Sequence, residues 1–164
     1  MDTTKATPEQ LQRLRRFFHI MNHFMVFMWK IGSGRFMNCW PAVGGRFMVI
    51  RHRGRKSGRE YLTPVNYAIV ENEVYATAGF GPETDWYRNI MATPDVEIWL
   101  PGRRQRAHAC DVSDSPCRVK LLREITIAAW LAGPLMGVDQ RKVNDEQLLK
   151  IAEHYRIVHF ELEP

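Results

Sequence analysis

The segment Arg51-His52-Arg53-Gly54-Arg55-Lys56-Ser57-Gly58-Arg59 holds five cations in nine residues. Gly54 and Gly58 permit a sharp turn that aims backbone N–H groups at an anion. Arg55 and Arg59 offer guanidinium forks suited to phosphate or carboxylate, Lys56 a point charge, and Ser57 a hydroxyl donor. Such a set can cradle the acidic end of a small molecule. It lacks the Gly-x-x-x-x-Gly-Lys-Ser/Thr spacing of a nucleotide P-loop and the Gly-x-Gly-x-x-Gly of a dinucleotide fold. A solvated hairpin loop or a nucleic-acid patch stays open on composition alone.

A second constellation, Thr84-Asp85-Trp86-Tyr87-Arg88-Asn89, opens a helix just after Gly79 and Gly81. A helix start presents unpaired N–H groups and a dipole that favours anions. Trp86 and Tyr87 can wall a planar ring and Asn89 can orient it; the alternative is that both aromatics simply anchor the core. Other chemistries find little support. His19 and His23 lie four apart, but there is no His-Glu-x-x-His pattern, no Cys-x-x-Cys and no Gly-x-Ser-x-Gly elbow. No metal site is therefore expected.

The elements that must position these residues follow from periodicity. Thr7 and Pro8 predict a helix start. Leu11, Leu14, Phe18, Met21, Met25 and Met28 recur at helical spacing up to Gly32-Ser33-Gly34. From Arg46 the period changes to two. Strands are expected from Phe47, over Tyr61 to Val70, and over Val74 to Ala78, the last two joined by a tight turn at Glu71-Asn72. Pro64 marks an edge or a bulge. Thr84 caps a short helix through Ala92. Val96 to Leu100 and Arg104 to Val112 form a hairpin about Pro101-Gly102. Ser115-Pro116 starts a helix that Gly133-Pro134 ends, Asn144 caps another through His154, and Ile157 to Leu162 is a last strand. Hairpin-linked strands argue against a doubly wound parallel sheet. The expected class is α+β, mainly β with flanking helices: a barrel of six to seven mostly antiparallel strands, its edges closed and its openings covered.

The chain has 164 residues, 45% apolar and 25% charged, as one folded domain over 1–164 requires. Within it, 1–34 is the N-terminal helical segment, 35–112 the strands and short helix, and 113–164 the C-terminal helices and last strand. The net charge of +5 favours anionic partners. Three scattered cysteines, Cys39, Cys110 and Cys117, and a polar start without a signal peptide fit a reducing, cytoplasmic setting. The apolar run Phe17 to Trp29 is too short to span a bilayer but can lie on a membrane surface.

The ordered set Gly54-Arg55-Lys56-Ser57-Gly58, Thr63-Pro64, Ala78-Gly79, Trp86-Tyr87-x-Asn89-Ile90 and Ala92-Thr93-Pro94 resembles the deazaflavin-dependent nitroreductase family, over roughly residues 46 to 112. The resemblance implies a split β-barrel akin to small flavin reductases. It also implies coenzyme F420, a 5-deazaflavin with a phosphate and a glutamate tail, and hydride transfer to quinones, nitro compounds or other electron-poor acceptors. It places Arg55, Lys56, Ser57 and Gly58 on the phosphate and tail, and Ala78 and Gly79 by backbone. Asp85, Trp86 and Asn89 fall near the ring or side chain, with Tyr87 as a further wall. Many relatives carry an arginine where this chain has Tyr61, with Arg59 nearby as a substitute, and Lys-Gly-Gly where this chain has Ala78-Gly79-Phe80. In such an enzyme the cofactor supplies the hydride and the protein binds and orients. Tyr67 is a candidate for a hydroxyl that orients the acceptor or donates a proton. The rivals are a barrel that holds FMN or haem, and a non-enzymatic basic barrel that binds nucleic acid. The reading taken forward expects a small-molecule acceptor, no nucleic acid, and room for homodimerisation.

Overall fold

The computed structural model describes residues 20, 22–34, 45–129 and 143–163. The expected helix start at Thr7-Pro8, the expected stop at Gly133-Pro134 of the helix from Ser115-Pro116, and Cys39 lie outside them. Helix α1 covers residues 22–30. Strands β1 (Phe47–Arg53), β2 (Glu60–Val70) and β3 (Glu73–Ala78) follow. A single 3₁₀ turn at Gly81–Glu83 leads into helix α2 (Asp85–Ala92). Then come β4 (Asp95–Leu100), β5 (Arg103–Asp111), α3 (Arg118–Ala128), α4 (Asp145–Ile151) and β6 (Arg156–Leu162).

The six strands close into one antiparallel barrel in the order β1-β2-β3-β6-β5-β4, with β4 pairing back onto β1. Alternation explains which side chains fill it. Met48 and Ile50 of β1, Ile98 of β4, and Val158 and Phe160 of β6 point into the core. Val49 faces outward, yet it is buried because Trp29 of α1 and Trp99 of β4 pack over it. Covering on both faces is why the outward Val49 is apolar like its inward neighbours Met48 and Ile50. On another outer face α3 and α4 cover Ala68 and Ile157 through Leu121, Leu122, Ile125 and Leu148. The other side of α1 leaves Phe24, Phe27 and Ile31 exposed. Among the described residues no helix is long and apolar enough to cross a membrane.

Local signals placed most boundaries. Glu71 and Asn72 both adopt positive φ (53° and 70°), the two-residue turn that suits the strand twist. Asn144 caps α4 with a full capping box to Gln147. Three details differ from the expectations. Helix α3 begins at Arg118 rather than at Ser115-Pro116, since Ser115 spends its carbonyl on a turn to the Arg118 N–H at 2.9 Å. Helix α4 stops at Ile151, short of His154. Thr84 holds the N-cap position of α2, but its hydroxyl makes no capping bond and is buried without a partner. Pro64 causes no bulge: the register with β1 runs unbroken from Arg53↔Glu60 to Phe47↔Asn66. It lies in the part of β2 that pairs with β1 alone, because β3 joins only from Tyr67↔Ala76 onward. A missing N–H is tolerated on such an edge.

Gly81 shows how tightly this end is built. Its φ is +70°, and an added Cβ would sit 2.6 Å from the His154 carbonyl oxygen. Gly81→Ala is expected to cost at least about 2 kcal/mol from left-handed strain and the clash, seen as a fall in Tm of about 4–8 °C in a thermal melt.

Candidate functional site

Strand register collects an end of each of the six strands at one end of the barrel, β2 opening at Glu60 opposite Arg53. Arg53 closes β1, Asp95 opens β4, and β5 ends at Asp111 opposite Val158. β6 opens at Arg156 opposite Ala78, the end of β3. Helix α2 plugs this end, with Ile90 fully buried and Trp86, Tyr87 and Met91 packed against the barrel interior.

The basic loop folds onto this plug. The Arg55 backbone N–H donates to Asn89 Oδ1 at 3.1 Å, and Arg55 Nη1 donates to the same oxygen at 2.9 Å. Arg55 Nη1 also reaches Asp85 Oδ1 at 3.2 Å. That ion pair is exposed on the Asp85 side and adds little stability; the bonds to buried Asn89 hold the loop. Two further bonds shape the turn, Gly54 N–H to Arg59 O and Gly58 N–H to Gly54 O, both 2.8 Å. Gly58 takes φ +65°, and a Cβ on Gly54 would collide with Ser57 Oγ and the Tyr61 ring, each at 2.7 Å. Arg59 N–H donates to Ser57 Oγ at 3.3 Å, and Ser57 Oγ lies 3.3 Å from the Tyr61 hydroxyl. Among the described residues this leaves the N–H groups of Lys56 and Ser57, and the cationic heads of Lys56 and Arg59, without a protein partner.

Under the loop lies a polar floor. His52 on β1 is buried, with Nε2 3.0 Å from Thr63 Oγ1 and Nδ1 3.5 Å from Asn89 Nδ2. Its ring stacks on Tyr61 at 5.9 Å. Arg51 braces the loop base with ion pairs to Glu60 at 2.8 Å and Glu97 at 3.2 Å. Farther along α2, Trp86 and Tyr87 meet edge to face, and the Tyr87 hydroxyl donates to Asp111. Burial, then the Asp111 carboxylate, pushes the Tyr87 phenol up to about 12, so it stays protonated. Burial alone would raise Asp111, but bonds from Ser113 and Tyr87 outweigh it and hold the carboxyl below its ordinary value. The sign follows. The stabilisation from Asp111 is present above the unfolded carboxyl pKa, about 3.9, and is lost as pH falls through the lower folded value. Asp111→Asn is therefore expected to lower stability at pH 7 and to flatten the acid limb, checked by urea melts at neutral pH and at about pH 3.

Thr77 and Ala78 of β3 continue past the last pairing with β2, so β2 over residues 60–66 pairs with β1 and not with the Ala78-Gly79 end of β3. Gly79 is exposed there, with Tyr155 across from it. Eleven of the twelve candidate residues thus lie at one end of the barrel: Arg55, Lys56, Ser57, Gly58, Arg59, Ala78, Gly79, Asp85, Trp86, Tyr87 and Asn89. Tyr67 does not join them. Its N–H bonds to Arg46 O at 3.1 Å, beside the opposite end of β1. Its ring is buried in the barrel core, and burial raises its phenol pKa, with Arg46 and Arg103 pulling the other way.

The model of the F420H(2)-dependent quinone reductase family matches residues 28–144 of this chain. The chain belongs to that family. A Mycobacterium tuberculosis (strain ATCC 25618 / H37Rv) protein, Rv3178, provisionally named an F420H(2)-dependent quinone reductase, is 32% identical over 77 residues. That match takes in 45% of this chain and 64% of the relative, so the chain spans under two thirds of the relative's length. The fold matches a solved conserved hypothetical protein of Mycobacterium tuberculosis, Rv2991, at TM-score 0.51 and 15% identity, over 73% of this chain and 74% of that one. It also matches an F420-H2 dependent reductase (FDR-A) at TM-score 0.51 and 16% identity, over 71% and 94%. At these identities the two structures speak for the fold alone.

The donor set fits the coenzyme of the F420H(2)-dependent quinone reductase family. A phosphate and an acidic tail call for cations and N–H groups that the fold has not already used, and Lys56, Ser57 and Arg59 supply them. The sequence reading named His52 in the basic segment, Thr63 in the Thr63-Pro64 motif and Tyr61 as a departure from the relatives, but gave none of them, nor Asp111, a place in the site; strand register and α2 bring them in.

Proposed function

We propose that this protein binds coenzyme F420 and passes hydride from its reduced form to an electron-poor acceptor such as a quinone or nitro compound. The observation that carries the reading is the basic loop clamped on α2, which presents unused cations and N–H groups near the aromatic start of that helix. Lys56, Ser57, Gly58 and Arg59 receive the phosphate and tail. Arg55, Asp85 and Asn89 hold that loop in place. Gly79, exposed just past the buried strand end at Ala78, meets the coenzyme by backbone, and Trp86 with Tyr87 walls it. When bound, the reduced deazaflavin supplies the hydride; the protein binds, orients and excludes water. Tyr87, kept protonated by burial and by its bond to Asp111, is an orienting hydroxyl at the cofactor end, whereas Tyr67 serves the core.

The test is fluorescence titration with oxidised F420, followed by stopped-flow oxidation of reduced F420 by a soluble quinone. Quenching that saturates at micromolar coenzyme, together with thermal stabilisation, is expected. Stabilisation by FMN and none by F420 would overturn the cofactor assignment, and binding without turnover would overturn the activity.

A further inference from the structure

The Asn89 amide has one acceptor end and one donor end. The backbone N–H and Nη1 of Arg55 both demand the oxygen, so Oδ1 must face the loop and Nδ2 must face the interior. Asn89 is 7% exposed, so an unpaired Nδ2 there is costly. The acceptor in reach is His52 Nδ1, at 3.5 Å. That nitrogen accepts only if it carries no proton. The opposite nitrogen, Nε2, lies 3.0 Å from Thr63 Oγ1 and can carry the single proton of a neutral ring.

We propose that His52, which the sequence marks only as part of a basic run, is the positioning residue that selects the Asn89 amide orientation and so holds the cationic loop closed. Its contribution to coenzyme binding rests on the function proposed above; its contribution to the loop does not. Burial lowers the His52 pKa against a smaller upward pull from the Arg53 backbone, which keeps the ring neutral near pH 7. The ring also stacks on Tyr61, whose hydroxyl meets Ser57, so one imidazole underlies both anchor points of the loop, Arg55 through Asn89 and Ser57 through Tyr61.

The experiment uses His52→Leu, which keeps volume and removes the acceptor, and His52→Gln, which keeps an acceptor. Thr63→Val is a third variant that frees the ring to change tautomer without touching the core. Amide hydrogen exchange of the full-length protein without coenzyme reads the Arg55 N–H directly. His52→Leu should exchange there roughly five- to tenfold faster, the worth of one net hydrogen bond. β3 and β6 should keep their protection. His52→Gln should return to near wild type, and Thr63→Val should fall between. F420 affinity should follow the same order. Wild-type exchange in His52→Leu would overturn the proposal, and so would equal loss in the leucine and glutamine variants, which would assign the effect to ring packing. Should His52→Leu fail to fold, the glutamine and Thr63→Val pair carries the same comparison. If wild type binds no F420, the function falls while exchange at Arg55 still decides the part played by His52.

Discussion

Lys56→Ala together with Arg59→Ala lowers F420 affinity by about 100-fold or more at low salt, with thermal unfolding within about 1 °C of wild type. The size follows from two charge-assisted contacts made to an anion, and the absence of a folding cost follows from the loop. Neither side chain has a partner among the described residues, so neither holds the protein together. Arg55→Ala behaves differently. Its guanidinium is turned to Asn89 and Asp85, so its loss frees the loop and weakens binding indirectly. The distinguishing measurement is the salt dependence of affinity. The double variant should flatten it because two exposed charges are gone, whereas Arg55→Ala should leave more of it. Equal affinity in wild type and double variant, measured by fluorescence quenching, would remove the loop from the coenzyme site.

Arg118→Met lowers stability by about 3 kcal/mol and Tm by about 6–12 °C. Arg118 opens α3 and donates to three backbone carbonyls: Ser113 at 2.7 Å, Ala152 at 2.8 Å and Tyr155 at 3.1 Å. It thereby joins the segment after β5, the end of α4 and the entry to β6. Methionine keeps the apolar stem and removes every donor, leaving three partly buried carbonyls to find water. Arg118→Lys, a single point donor that cannot fork, should recover only part of the loss. The entry to β6 also carries Tyr155 and the His154 carbonyl that Gly79 and Gly81 approach. The methionine variant should therefore lose F420 affinity as well, by less than the loop double variant. Urea melts and the same titration check both; an unchanged melt would show that water replaces the three bonds without cost.

The strands, the turns and the chemical class of the loop were legible in the residues because each rests on neighbours. Alternation from Phe47, the Glu71-Asn72 turn and the Asn144 cap are decided within a few residues. So is the crowding of cations between Arg51 and Arg59, which already called for an anion. Tertiary structure alone decided which of those cations remain available. Arg55 and Lys56 are adjacent and alike on paper, yet Asn89, 34 residues away, consumes one and leaves the other. It also decided that Tyr67 lies toward the end of the barrel away from the basic loop, that Tyr87 meets Asp111 across 24 residues, and that a histidine sits beneath the loop. The physical reason is range. Backbone preference and charge density act along the chain, whereas desolvation and hydrogen-bond saturation depend on what the closed barrel brings alongside.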